Sequence, residues 1–204
     1  MFKKFALTAL AAFMLGAPIA AKAEPVIGQP APEFSLPAHD GSTQSLSAFK
    51  GKVVVLEWFN PGCPFVLKHY DTKNMQNLQK EITAKDVVWL TVSSSAEGKQ
   101  GYLTAADATK TVTDMGAAPN FVLLDHDGAV GKMYAAKTTP HMYVIDANGV
   151  LAYAGAIDDK PSADKADVAT AKNYVRQAVD ELLAGKPVSE TSTRAYGCSV
   201  KYKD

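Results

Sequence analysis

Lys52-Val53-Val54-Val55-Leu56-Glu57-Trp58-Phe59-Asn60-Pro61-Gly62-Cys63-Pro64 is the stretch on which the fold turns. From Lys52 to Phe59 it is a strongly apolar β run, led by Val53-Val54-Val55-Leu56. Asn60-Pro61-Gly62 interrupts that run with turn formers. Pro64 then suits the first position of a helix, where its preset φ helps and its missing N–H has no partner to lose. A helix is expected beyond it, with Met75, Leu78 and Ile82 at i, i+3, i+7 spacing and Lys73, Asn74, Gln76 and Lys80 opposed. Val87–Val92 is a second apolar strand, continuous enough to be buried on both faces. Together these make a β–α–β unit with Cys63 at the strand-to-helix junction.

Outward from this unit the signals are weaker but consistent. Upstream, Phe34–Leu36 is a short strand candidate before the Asp40-Gly41 turn. Downstream, a helix is expected over about Lys99–Met115, closed by Gly116, then a strand at Phe121–Leu124, the Asp127-Gly128 turn and a short helix to Ala136. His141–Asp146 and Val150–Ala156 flank Ala147-Asn148-Gly149, and Asn-Gly between two apolar runs predicts a hairpin. A last helix over about Asp167–Ala184 buries Val168, Ala171, Val175, Ala178 and Leu182 and stops at Gly185, with Pro187 beyond. The tail 188–204 contains Cys198 and no periodicity. The order predicts an α/β fold with a central mixed sheet flanked by helices.

The first 23 residues have a different character. Lys3 and Lys4 precede an apolar run from Phe5 to Ala20, and Ala21-Lys22-Ala23 carries small residues where a signal peptidase needs them. A secretory signal cleaved after Ala23 is expected, with a periplasmic or secreted product. Pro18 and Lys22 interrupt what a membrane anchor would need, so no membrane association is expected after cleavage. Residues 24–204 then form one domain with a cysteine-containing tail. The whole chain has 21 basic and 21 acidic residues, and without Lys3, Lys4 and Lys22 it is mildly acidic. Its lysines are scattered rather than clustered, which gives no face for a nucleic acid.

Cys63 and Cys198 are the only cysteines. A cysteine just before the first turn of a helix lies where unpaired backbone N–H groups and the positive end of the helix dipole converge. Both favour the thiolate, which is the nucleophile. The positions at i+3 and i+4 are Val66 and Leu67, so activation is expected from the helix terminus and not from Lys68 or His69. In an exported chain Cys198 is either the disulfide partner of Cys63 or an independent thiol. His39 and His126, in Asp-Gly turns, are expected to be solvated. Asp125-His126-Asp127-Gly128 lacks the downstream glutamate of a calcium loop and is expected to be a turn. No cofactor or metal site is expected, although Cys63, His141 and Met142 supply the soft donors that a copper site uses.

Glu57–Tyr70, the stretch Thr138-Thr139-Pro140-His141-Met142-Tyr143-Val144-Ile145-Asp146, residues 153–159 and the tail 194–202 resemble the thioredoxin superfamily, and within it the peroxiredoxin-like redoxin subgroup. The resemblance implies a thioredoxin-like fold. It places Cys63 at the first cysteine of the CxxC motif, with Val66 at the second. It implies that Thr139-Pro140 is the cis-proline loop, whose exposed edge pairs with an extended substrate strand. It implies that Glu57 is the buried acid behind the cysteine, with a raised pKa suited to relaying a proton to a leaving thiol. Asn60 stands where peroxiredoxins place threonine or serine before their cysteine, and the only arginines are Arg176 and Arg194.

The leading expectation is an exported thiol–disulfide oxidoreductase acting on protein or small-molecule disulfides and thiols through Cys63, with Cys198 or an external thiol resolving the mixed disulfide. A thiol peroxidase of non-standard type, acting on peroxides, is the rival within the same chemistry. A binding or copper-handling module on the same scaffold is the rival outside it.

Overall fold

Five strands form the central sheet of the computed structural model, which describes residues 24–203. The expected signal segment, residues 1–23, lies outside the described residues. In chain order the elements are β1 (Ser35–Pro37), β2 (Thr43–Ser45), β3 (Val54–Trp58), α1 (Pro64–Asp71), α2 (Asn74–Thr83), β4 (Val88–Ser93) and α3 (Ala105–Met115). They continue with β5 (Phe121–Leu124), α4 (Ala129–Met133), β6 (Thr138–Thr139), β7 (His141–Ile145), β8 (Leu151–Gly155), α5 (Tyr174–Leu183) and β9 (Cys198–Ser199). The sheet order is β5-β4-β3-β7-β8, parallel from β5 to β3 and antiparallel from β3 to β8. This is the mixed α/β sheet flanked by helices that the sequence predicts.

The apolar run at the start of the deciding stretch becomes β3, with every residue buried. Alternation splits it between two cores. Val53, Val55 and Phe59 face the layer built by Cys63, Val66 and Tyr70 with Met75, Leu78, Ile82 and Val175. Val54, Leu56 and Trp58 face the opposite layer, closed by Phe34, Leu46, Val130 and Tyr134. A one-residue slip of β3 would exchange these two sets, so its register between β4 and β7 is strongly specified. The Asn-Gly hairpin forms as expected: the Asn148 and Val150 N–H groups both donate to Asp146 Oδ1, and Gly149 takes φ +83°.

Three helices differ from their expected bounds. The helix after Cys63 is two helices, because the Thr72 hydroxyl donates back to the Lys68 carbonyl at 2.8 Å and Lys73 turns left-handed at φ +61°. Helix α3 starts at a capping box formed by Thr104 and Asp107, not at Lys99, since Gly98 and Gly101 both adopt positive φ before it. The last helix starts at Asn173, whose side chain accepts the Arg176 N–H, and residues 165–169 form a separate 3-10 turn capped by Asp164. The histidines expected in solvent are half-buried instead. His39 Nδ1 accepts the Val122 N–H, and His126 bonds the Leu103 carbonyl at 2.9 Å with its ring tilted against Tyr102. The loops that carry them fold back onto the sheet edge.

Candidate active site at Cys63

Cys63 is the N-cap of α1, with extended backbone (φ −84°, ψ 123°) and Pro64 at the first helical position. The loop before it is organised by Asn60. Its Oδ1 accepts the Gly62 N–H at 2.9 Å and its carbonyl accepts the Cys63 N–H at 3.0 Å, an Asx turn that presents the cysteine to the helix terminus. Gly101 packs directly on the Asn60 side chain, where a Cβ would lie 2.4 Å from its Cγ. In the thiol form Cys63 donates to the Thr139 carbonyl at 3.1 Å. Thr139-Pro140 is a cis peptide, the loop geometry that the resemblance implies, and the Thr139 hydroxyl is buried with no hydrogen-bonding partner among the described residues, which leaves it to donate to a Cys63 thiolate.

The structure brings Cys198 to Cys63 across 135 residues, with the two sulfurs 2.6 Å apart. Strand β9 achieves this by pairing antiparallel with β6, Thr139 opposite Cys198 and Thr138 opposite Ser199. The two thiols differ electrostatically. Burial raises the Cys63 pKa, but the hydrogen bonds from Cys198 and Thr139, and from the backbone N–H groups of Val66 and Cys198, outweigh it and hold the pKa below the usual thiol range. Burial and the neighbouring Cys63 push Cys198 up to about 11. A single proton held between them therefore favours Cys198, and Cys63 is the more acidic thiol of the pair.

Glu57 lies behind this site on β3, fully buried. Its carboxylate accepts from Trp89 Nε1 at 2.9 Å, Thr91 Oγ1 at 3.1 Å, Gln79 Nε2 at 3.2 Å, and the Tyr70 hydroxyl at 2.9 and 3.2 Å. Burial raises its pKa against those four donors. Neither cysteine is among its partners; the Tyr70 ring reaches the site layer through an edge contact with Phe59.

Lys68 and His69 do turn away from Cys63, but into the interior. Lys68 is fully buried, donating to the Lys160 carbonyl at 2.8 Å, 3.8 Å from Asp158 and under the ring of Tyr196. The Tyr196 hydroxyl donates to Asp158, and His69 Nε2 faces both, while His69 Nδ1 accepts from Asn74 at 2.8 Å. This cluster ties α1 to the loop after β8 and to the tail. Burial, with Lys68 adding to it, lowers the His69 pKa to about 4 despite Asp158. Burial and then Lys137 lower His141 to about 4; its ring lies beside Tyr143, and its Nδ1 accepts the Lys137 N–H. Unfolded histidine titrates near 6.5, so between that pH and 4 the unfolded chain binds more protons. Stability is fully present above about pH 6.5 and is lost as pH falls toward 4, by about 3 kcal/mol for each ring. Urea unfolding at neutral and acid pH should show this loss, and His69→Gln should remove its share of the pH dependence.

A model of the Redoxin family matches residues 27–173.

The chain belongs to the Redoxin family.

This redoxin is 29% identical over 143 residues to the thioredoxin-like protein YneN of Bacillus subtilis, covering 69% of this chain and 79% of that one. An uncharacterised conserved protein from Geobacillus kaustophilus superposes with a TM-score of 0.74 at 27% identity, covering 87% of this chain and 93% of the other. A structure from Chlorobium tepidum named for thiol:disulfide interchange, DsbE, superposes with a TM-score of 0.52 at 26% identity, covering 63% and 83%. The thioredoxin-like fold expected from the sequence is thus shared with known redoxins and thioredoxin-like proteins.

Sequence reasoning missed two features of the redoxin site. The turn made by Asn60 was readable from Asn-Pro-Gly itself. The burial of Lys68 beneath Tyr196 was not, because its partners come from residues 158–160 and from the tail, remote in sequence.

Proposed function

We propose that this redoxin is an exported thiol–disulfide oxidoreductase whose working pair is Cys63 and Cys198. The observation that carries the reading is the contact of the two sulfurs at the N-terminus of α1, with opposite displacements of their proton affinities. The Cys63 thiolate attacks one sulfur of a substrate disulfide, forming a mixed disulfide and releasing one substrate thiolate. That thiolate takes the Cys198 proton. Cys198 then attacks the Cys63 sulfur, the second substrate thiolate leaves, and a Cys63–Cys198 disulfide remains. An external dithiol reduces it by the same exchange in reverse. Glu57 serves as a positioning residue, holding Tyr70 and through it the floor of the site. Export is supported by the charged-then-apolar segment ending at Ala23.

The peroxidase rival needs an arginine beside the thiolate; Arg176 is instead paired with Glu81 at 3.0 Å on the outside of α2, and neither it nor Arg194 is among the groups that shift the Cys63 pKa. Thiol titration with peptide mapping tests the proposal. Reduced protein should show two thiols, and protein equilibrated with glutathione disulfide should show none, with Cys63 and Cys198 in one linked peptide pair. A reduction potential above roughly −300 mV would mark the pair as redox-active, whereas a lower one would mark a structural staple and sink the reading. Two free thiols after oxidation would do the same.

A further inference from the structure

The edge beside cis-Pro140 is already occupied. Strand β9 lies along β6 as an added antiparallel strand, and the Val200 N–H extends the pairing to the Lys137 carbonyl at 3.1 Å. Gly197 makes this approach possible. It takes φ +137°, and a Cβ there would lie 2.1 Å from the Thr139 carbonyl oxygen and 2.8 Å from its carbon. No other residue fits without moving the tail or the loop. The seat is anchored at both ends. Upstream, Thr193 packs on Gly155, where a Cβ would meet its Oγ1 at 2.3 Å, and the Tyr196 ring stacks edge-on against Phe65. Downstream, the Lys201 carbonyl accepts the Ala96 N–H and the Tyr202 hydroxyl donates to the Ala136 carbonyl. Beneath this strap Cys63 is 0% exposed, while Cys198 is only half-buried.

We infer that residues 194–202 are a tethered occupant of the strand-binding edge, seated by Gly197, and that this seat determines which disulfides reach Cys63. Main-chain pairing along an exposed edge is how extended peptides gain affinity for a sheet, with side-chain pockets adding specificity. Here a segment of the same chain makes those bonds at the effective concentration of a tether, and it places a cysteine where the substrate's cysteine would lie. An extended polypeptide disulfide must displace the strap before it meets the thiolate. A small disulfide needs no pairing along the edge, only a local opening over the sulfur. The seated chain therefore discriminates against polypeptide disulfides in favour of small ones, and unseating the strap abolishes that discrimination. The inference rests on the reading of the β6 edge as the substrate-binding edge of an oxidoreductase.

The test uses the full chain with Cys198→Ser, so that Cys63 is the only thiol, and compares it with the same chain carrying Gly197→Ala. Each reduced protein is reacted with a small activated disulfide and with an unfolded polypeptide bearing one cysteine as its thionitrobenzoate mixed disulfide. Release of the thionitrobenzoate is followed at the high-pH plateau. There the thiol is fully ionised, so a changed Cys63 pKa no longer alters the thiolate fraction, and its effect on nucleophilicity is shared by both substrates and leaves their ratio. Gly197→Ala is expected to raise the polypeptide-to-small rate ratio by at least about tenfold, the factor that about 1.4 kcal/mol of lost competition would produce. Circular dichroism reports whether that variant keeps the fold. If it does not, Val200→Pro, which removes the N–H given to Lys137 together with the Val200 packing on the core, reads the same ratio and should move it in the same direction. An unchanged ratio in a folded variant overturns the inference. Exchange at Cys63 is read here without any Cys63–Cys198 disulfide, so failure of that disulfide to form would defeat the proposed function and leave this result standing.

Discussion

Replacing Cys63 by serine is expected to slow thiol–disulfide exchange by at least about 10³-fold, a barrier increase of about 4 kcal/mol. The helix terminus, the Val66 and Cys198 N–H groups and the Thr139 hydroxyl all act by stabilising a thiolate. A serine hydroxyl does not ionise in that setting, so the donors have no anion to hold and the nucleophile is gone. The measurement is single-turnover reaction of the reduced protein with an activated disulfide. Cys198→Ser should behave differently: attack at Cys63 continues and the mixed disulfide accumulates, because the resolving thiol is missing. An undiminished rate in Cys63→Ser would move the chemistry to Cys198 and dismantle the assignment of roles. The pH profile offers an independent check, since the reaction of Cys63 should persist below the range in which an ordinary thiol ionises.

Glu57→Ala is expected to destabilise the protein by about 3–5 kcal/mol, the combined cost of a cavity in the core and of buried donors left without an acceptor. The arithmetic is unfavourable for alanine because Trp89, Thr91, Gln79 and Tyr70 all donate to this one carboxylate inside the core. Each donor left without an acceptor costs about 1–3 kcal/mol, partly relieved by rearrangement. Glu57→Gln preserves the volume but brings an amide that must donate into a ring of donors, so it should fall between wild type and alanine. Urea unfolding reads both, and a loss under about 1 kcal/mol for alanine would show that the network relaxes without its centre. The rate data separate two roles. A residue that only positions Tyr70 and the site floor should lower exchange for Glu57→Gln without changing the pH profile. A proton relay to the leaving thiol would change that profile.

The parts of this protein that were legible in its sequence are those settled within a few residues of one another. The strand ending at Asn60-Pro61-Gly62, the proline opening α1, and the Asn-Gly hairpin between β7 and β8 depend on local φ/ψ preferences and on the alternation of apolar side chains. Those same local rules placed Cys63 at a helix N-terminus, where its chemistry follows from unpaired N–H groups. The missed helix bounds had local causes too, but subtler ones: a threonine bonding back to the fourth preceding carbonyl, a capping box, and glycines in the left-handed region. Tertiary structure alone decided the rest. Nothing in residues 188–204 reads as a strand, because β9 has no periodicity of its own and exists only by pairing with β6. Nothing near Lys68 reads as a buried cation, because Asp158, the Lys160 carbonyl and Tyr196 reach it from remote parts of the chain. The meeting of Cys63 with Cys198 belongs to the same class. It requires closure of a 135-residue separation that no local preference encodes, and it is fixed by Gly197 being small enough to lie against the Thr139 carbonyl.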